Sequence, residues 1–157
     1  MRRFCEVEKN FKKYDGKSFM PKRATKYSAG YDFYSPIEIT IKPNTMEMIW
    51  TNIKSQFNQD EVFILCVTSG MGKHGIMVAN TIGVIDSDYF SNSGNDGNIG
   101  FRLYNFSDND YVIKIGDKIG QGIFTKFLTV DNEEEITSVR QGGYGSTNVA
   151  IADGNRH

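Results

Sequence analysis

Cysteine and histidine are scarce: there are two of each in 157 residues. Two cysteines cannot make a disulfide scaffold, and Cys66 lies inside the apolar run "VFILCV", where a small buried hydrophobe is the expected role, so Cys5 and Cys66 are read as unpaired. His74 and His157 cannot build a multi-histidine metal centre, and a lone histidine is read as a hydrogen-bonded structural residue. No window approaches the ~20 apolar residues of a membrane-spanning helix. The start "MRRFCEVEKN" has basic residues but no apolar core of signal-peptide length behind them, so a soluble, cytoplasmic protein with no membrane partner is expected.

A surplus of one charge is also missing: 18 basic and 19 acidic side chains leave −1. The distribution is uneven, with nine basic and three acidic groups in residues 1–26. A basic arm suits nucleic acid or an anionic small molecule, but a near-neutral chain lacks the field that non-specific nucleic-acid binding needs. The arm is therefore read as a solvated strand face, with no nucleic-acid partner.

A helical stripe is absent too, and period two dominates instead. Ile37, Ile39 and Ile41 alternate with polar residues, and the beat returns in Ile99-Phe101-Leu103 and in Ile119-Gln121-Ile123-Thr125-Phe127. The run 62–67 is apolar without alternation, as expected of a central strand covered on both faces. Turn signals separate these runs at 42–44, 107–110, 115–118 and in the long "SNSGNDGN" of 91–98. The nearest approach to a helix is "SGMGKHG", where Ser69 could cap a single turn. Short strands about ten residues apart indicate an all-β sandwich, jelly roll or closed barrel. The length fits one domain, taken as 1–139, with a flexible Gly-rich tail at 140–157.

Four stretches could carry chemistry, and each alone has a plain structural reading. "AGYDFYS" (29–35) puts an acid at a strand start, which can simply protect an edge. "TSGMGKHGI" (68–76) offers a hydroxyl and glycines at a turn that can present N–H groups to an anion, or can be an ordinary capped turn. "NTIGVIDSDYF" (80–90) ends a strand in Asp86, Asp88 and Tyr89: a carboxylate there can orient a water as general base, or the strand can run into an Asp-rich turn. "RQGGYGST" (140–147) joins a cation, glycines, hydroxyls and an aromatic, a composition that can fold over a nucleotide or be a plain Gly-rich tail.

Taken in order, with "GDKIGQGIF" (116–124) between the last two, these segments resemble the five motifs of the trimeric dUTPases over most of the chain. The resemblance implies a distorted jelly-roll or β-barrel fold with at most one short helix. It implies Mg²⁺-dependent hydrolysis of dUTP to dUMP and pyrophosphate by water attack on the α-phosphorus, which limits uracil in DNA and supplies dUMP for dTMP synthesis. Asp86 matches the acid that positions and deprotonates the water, and Tyr89 the aromatic packed against the deoxyribose. Asn80, Gly83 and Ile85 match the hairpin that reads uracil. Asp32 matches the acid that holds the metal through its water shell, as hard Mg²⁺ prefers. Ser69, Gly70 and Gln121 match the phosphate contacts, and Arg140, Tyr144, Gly145, Ser146 and Thr147 the tail that closes over base and phosphates. Relatives share three sites among the subunits of a homotrimer.

Two departures stand out. Thr68 occupies the place where the family usually has an arginine, so a cation near the triphosphate is missing, with Lys73 or the N-terminal basic residues as candidates to replace it. Arg140 precedes Gly142 by two residues where three are usual, which leaves its phosphate role less defined than those of Ser146 and Thr147. The 91–98 segment is longer than the usual connection and is read as a surface excursion near a subunit contact or the site rim, or a plain floppy loop. Two other readings are a dCTP deaminase-like enzyme, which would need a glutamate and an Arg-Ser pair where Asp86 and Thr68-Ser69 stand, and a regulatory protein that binds a protein partner.

Overall fold

The computed structural model describes residues 1–138, 140, 142 and 143, and across them the period-two stretches form twelve strands and one short α-helix. The strands are β1 (Arg3–Glu6), β2 (Lys22–Arg23), β3 (Tyr31–Tyr34), β4 (Ile39–Ile41), β5 (Met46–Trp50), β6 (Ile53–Gln56), β7 (Glu61–Cys66), β8 (Ile76–Val78), β9 (Gly83–Asp86), β10 (Gly100–Asn105), β11 (Tyr111–Ile113) and β12 (Lys118–Lys126). The helix, α1, spans Ser69–Lys73, and single 3-10 turns occupy Lys9–Phe11 and Ser87–Tyr89. All pairings are antiparallel. The largest sheet has the order β2-β3-β12-β7-β9, a three-stranded sheet runs β5-β10-β8, and β1-β6 and β11-β4 form two-stranded pairs. This is the all-β, distorted jelly-roll architecture expected, with its one short helix.

The core lies between the five-stranded and three-stranded sheets, and aromatic rings fill it. Phe33 and Phe63 come from the first sheet and Phe101 from the second, and all three are fully buried. Their ring centroids are 5.4 Å apart for Phe33–Phe101 and 6.0 Å for Phe33–Phe63, in tilted contacts that aromatic quadrupoles favour. Ile41, Ile49, Ile53, Ile76, Ile99, Leu103 and Ile113 belong to the same cluster.

β12 departs from its apparent sequence beat. Ile119 is buried, but a register shift between Lys118 and Gly120 reverses the faces, so that beyond it Gly120 and Gly122 point inward with half-buried Phe124. Gln121, Ile123 and Thr125, opposite Cys66, Ile64 and Val62, lie on the other face. The glycines are required because a Cβ on Gly120 would overlap the Phe101 ring and one on Gly122 the Phe63 ring. The inner face of this strand is thus backbone against aromatic rings, a pattern that an apolar/polar alternation cannot show.

β7 is interior to its sheet, fourth of five, as its apolar run suggests. Phe63 and Leu65 are buried, whereas Val62, Ile64 and Cys66 on the opposite face are only half-buried, so one chain covers this strand fully on one side. Cys5 and Cys66 are free thiols. The cap of α1 is Thr68, not Ser69: Thr68 has extended φ and ψ and its Oγ1 accepts a hydrogen bond from the N–H of Met71 at 3.4 Å. The basic N-terminal segment is partly spent on local partners, since Arg2 pairs with Glu61, Lys12 with Glu6, and Arg3 Nε donates to Gln56 Oε1 at 2.7 Å.

Candidate functional site

The site begins with a splayed hairpin. β8 and β9 follow each other closely, yet β8 pairs with β10 in one sheet and β9 with β7 in the other. Only an isolated bridge, Val78 to Thr81, joins the two arms directly. The turn is closed by Thr81 N–H donating to Val78 O at 2.8 Å and Ile82 N–H donating to Asn80 O at 2.9 Å. It also holds Thr81 at φ +69°, a left-handed conformation that a β-branched residue rarely adopts.

Where the arms part, a cavity of about 440 Å³ opens between the sheets. Asn80 stands at its hairpin end, Gly83, Ile85 and Asp86 line one wall, and Leu65 and Phe101 lie at its apolar base. Tyr89 closes one side, and Arg140 and Gly143 come over from the C-terminal segment. The Asn80 side chain is exposed, so its amide is open to read a ligand edge. The size and mixed lining suit a nucleoside-sized ligand.

Charge at the rim is organised by one cation. Arg140 pairs with Asp86 Oδ2, and its Nε donates to Asp88 Oδ1 at 2.7 Å. A third contact, from Nη1 to Gly142 O at 3.2 Å, folds the guanidinium back on its own segment. The Asp86 carboxylate remains about half exposed at the cavity mouth. Tyr89 is only 4% exposed. Its hydroxyl donates to Asn98 O at 2.8 Å, and Gly143 packs so closely on the ring that any side chain there would overlap it.

A second polar group forms on the outer face of the five-stranded sheet. Lys22, Asp32, Gln121 and Cys66 stand in one register row across β2, β3, β12 and β7, and Ser69 and Gly70 open α1 just beyond Cys66. Asp32 is buried, with Lys118 Nζ 2.6 Å from its Oδ2. The hydrogen bond to Asp32 holds the Lys118 ammonium above its usual range. Burial pushes the Cys66 thiol up, against a hydrogen bond to Gln121 that acts the other way. Gly30 leaves room for the Gln121 carboxamide, which a Cβ there would strike.

Among the described residues no three His, Cys, Asp or Glu side chains are grouped to hold a metal on their own. The donor set that is present, the single buried carboxylate of Asp32 paired with Lys118, suits only an ion that keeps much of its water and takes other ligands from a substrate. Mg²⁺ fits that description.

The structure therefore brings Asn80, Gly83, Ile85, Asp86, Tyr89 and Arg140 together around one cavity. Asp32 and Gln121 stand apart in the outer row, with Ser69 and Gly70 at the start of α1. Tyr144, Gly145, Ser146 and Thr147 lie outside the described residues. The sequence reading missed Leu65, Phe101 and Arg102, which also line the cavity. The first two read as ordinary core residues, and only the sheet pairing brings them to the hairpin.

The 91–98 loop is a surface excursion only in part: Ser91, Ser93 and Gly94 are exposed, while Asn92, Asp96 and Asn98 are buried. Asp96 forms an ion pair with Lys54, 2.7 Å from Nζ to Oδ1, and accepts from Glu8 N–H at 2.8 Å. Burial alone would raise the Asp96 pKa, but Lys54, Glu8 N–H and Ser91 together hold it below the ordinary carboxylate value.

Comparison with known proteins places this geometry in context. A family model described as dUTPase matches residues 17–148. A deoxyuridine 5′-triphosphate nucleotidohydrolase of Lactococcus lactis is 36% identical over 130 residues, 82% of this chain and 87% of that protein. One of Clostridium novyi is 38% identical over 138 residues, 85% of this chain and 93% of that protein. Among solved structures, the dUTPase from Streptococcus mutans superposes with a TM-score of 0.71 at 32% identity, covering 82% of this chain and 98% of that one.

Proposed function

The chain belongs to the dUTPase family, and from that premise we propose that it hydrolyses dUTP to dUMP and pyrophosphate by attack of water on the α-phosphorus. One observation carries the reading: Asp86 stands at the mouth of the cavity that Asn80, Gly83, Ile85 and Tyr89 line. A base held between the hairpin and Leu65 has its sugar beside Tyr89 and its phosphates at the rim, within reach of the Asp86 carboxylate. Asp86 holds a water there and takes its proton as the new P–O bond forms. General-base assistance of this kind contributes about 10²–10⁴ in rate. Pairing of Asp86 and Asp88 with Arg140 keeps the cation at the rim, where a triphosphate would compete for it.

Asp32 is the residue that would hold Mg²⁺, through coordinated water and together with the triphosphate. The ion would neutralise phosphate charge. Gln121 sits beside Asp32 in the sheet and Ser69 and Gly70 open α1 after β7; these three would contact the phosphates. None of these four lines the cavity, which supports a homotrimer in which the outer row of one subunit meets the cavity of another. The outer face also carries apolar Ile64, Ile123 and Val84, the last 55% exposed in the single chain, which such an assembly would cover. In the cytoplasm this activity would lower the dUTP available for incorporation into DNA and supply dUMP for dTMP synthesis.

The test is a panel of dUTP, UTP, dTTP and dCTP with Mg²⁺, followed by pyrophosphate release and, for dCTP, ammonia release. Strong preference for dUTP with no ammonia is expected. Equal turnover of the four nucleotides removes the reading.

A further inference from the structure

The loop 91–98 is built as a support for one aromatic ring. Asn92 Nδ2 donates to Tyr89 O at 2.7 Å, while Asn92 Oδ1 accepts from the N–H groups of Gly94 at 3.0 Å and Asn95 at 3.1 Å. Asn95 Oδ1 accepts from Asn92 Nδ2 at 2.8 Å and from Gly97 N–H at 3.1 Å. Those two donors fix the orientation of the Asn95 amide, so its Nδ2 faces the Tyr89 hydroxyl and donates to it at 2.6 Å. The hydroxyl donates its own hydrogen bond to Asn98 O at 2.8 Å.

Asn98 is fixed in turn. Its Oδ1 accepts from Asn52 N–H at 3.0 Å, and its Nδ2 donates to Phe11 O at 3.2 Å. Lys54 anchors the far side of the loop through Asp96, with Ser91 Oγ 3.0 Å from the same ammonium. Gly97 allows the loop to close on itself: it has φ +81°, and a Cβ would stand 2.8 Å from Tyr89 O.

We propose that Asn95 is a positioning residue for sugar selection, setting the depth of the Tyr89 ring in the cavity and hence the space left at the 2′ carbon. The inference rests on the dUTP reading of the cavity and extends it to a residue that touches no substrate. A ring held only by packing can tilt away from a 2′-hydroxyl. One whose hydroxyl both accepts from Asn95 and donates to the buried carbonyl of Asn98 resists that tilt, because moving it breaks a buried and a part-buried hydrogen bond together.

The informative variant is Asn95→Asp, which keeps the shape of the side chain and both accepted hydrogen bonds but has no N–H. Tyr89 can then donate to the new carboxylate or to Asn98 O, not both, so one of its two bonds is lost either way. The kcat/KM for UTP relative to dUTP should rise about fivefold, the equivalent of one net hydrogen bond. The change should appear in KM for UTP more than in kcat. In a Tyr89→Phe background the same substitution should leave the ratio where Tyr89→Phe alone puts it.

A folded Asn95→Asp protein with the wild-type ratio overturns the proposal, as does an equal effect in the Tyr89→Phe background. Should Asn95→Asp not fold, Tyr89→Phe alone must raise the ratio, and an unchanged ratio there refutes it. A wild-type protein that does not prefer dUTP overturns the functional reading and this inference together. A wild type that prefers dUTP, with no shift in the variants, overturns this inference alone.

Discussion

Replacing Lys54 with methionine removes the cation from a buried pair while keeping an unbranched side chain only one atom shorter. Lys54 Nζ is 2.7 and 2.8 Å from the two Asp96 oxygens, and the two side chains are 10% and 5% exposed. The ammonium also lies 4.9 Å from the centre of the Phe90 ring. The variant leaves Asp96 buried with the Glu8 N–H as its main remaining partner. Stranding one member of a buried pair costs about 3–5 kcal/mol. The pH dependence has a definite sign. In the wild type the Asp96 pKa is lowered, so its stabilising contribution is present above the unfolded value of about 3.9 and disappears as the pH falls through the folded value. Without Lys54, burial is the main influence left and raises the pKa, so the deficit of the variant should be largest near neutrality and shrink as the pH falls through that raised value towards the lowered wild-type one. Urea unfolding of both proteins at pH 7 and pH 3.5, at one protein concentration, reads this directly. A loss under about 1 kcal/mol at pH 7, or one equally large at pH 3.5, would refute the reasoning.

Gly122→Ala forces a methyl group into the Phe63 ring and should lower stability by about 1–3 kcal/mol in thermal or urea unfolding; a neutral result would show that the ring has room to move. Arg140→Ala removes the cation from the rim, and KM for dUTP should rise about tenfold or more, the scale of one charge-assisted hydrogen bond, in steady-state assays. Chelation of Mg²⁺ should abolish pyrophosphate release, and Asp32→Asn should raise the Mg²⁺ concentration needed for half-maximal rate; an unchanged Mg²⁺ dependence would remove Asp32 from the metal site.

The fold class was legible because period-two apolar residues such as Ile99, Phe101 and Leu103 do face one core. The alternation misleads at β12, where a bulge swaps the faces of the strand and glycines serve as the inward residues, since apolarity cannot report a space already filled by Phe63 and Phe101. The cap of α1 was misplaced by one residue because Thr68 and Ser69 offer the same hydroxyl, and only backbone conformation separates them. The cavity residues from Asn80 to Tyr89 were legible because they share one local segment. Leu65, Phe101 and Arg102 were not, because β7 and β10 reach the hairpin only through sheet pairing. The loop 91–98 read as a surface excursion because its Asn, Asp and Gly residues suit exposed turns. Here the same side chains satisfy one another and the backbone in the interior.

The Asp86 carboxylate is most directly tested by Asp86→Asn, with single-turnover pyrophosphate release and dUTP binding measured on the same preparation. The amide keeps the size of the side chain but cannot take a proton from water. The rate should fall by about 10²–10⁴ while dUTP still binds. A rate within tenfold of the wild type would contradict the account.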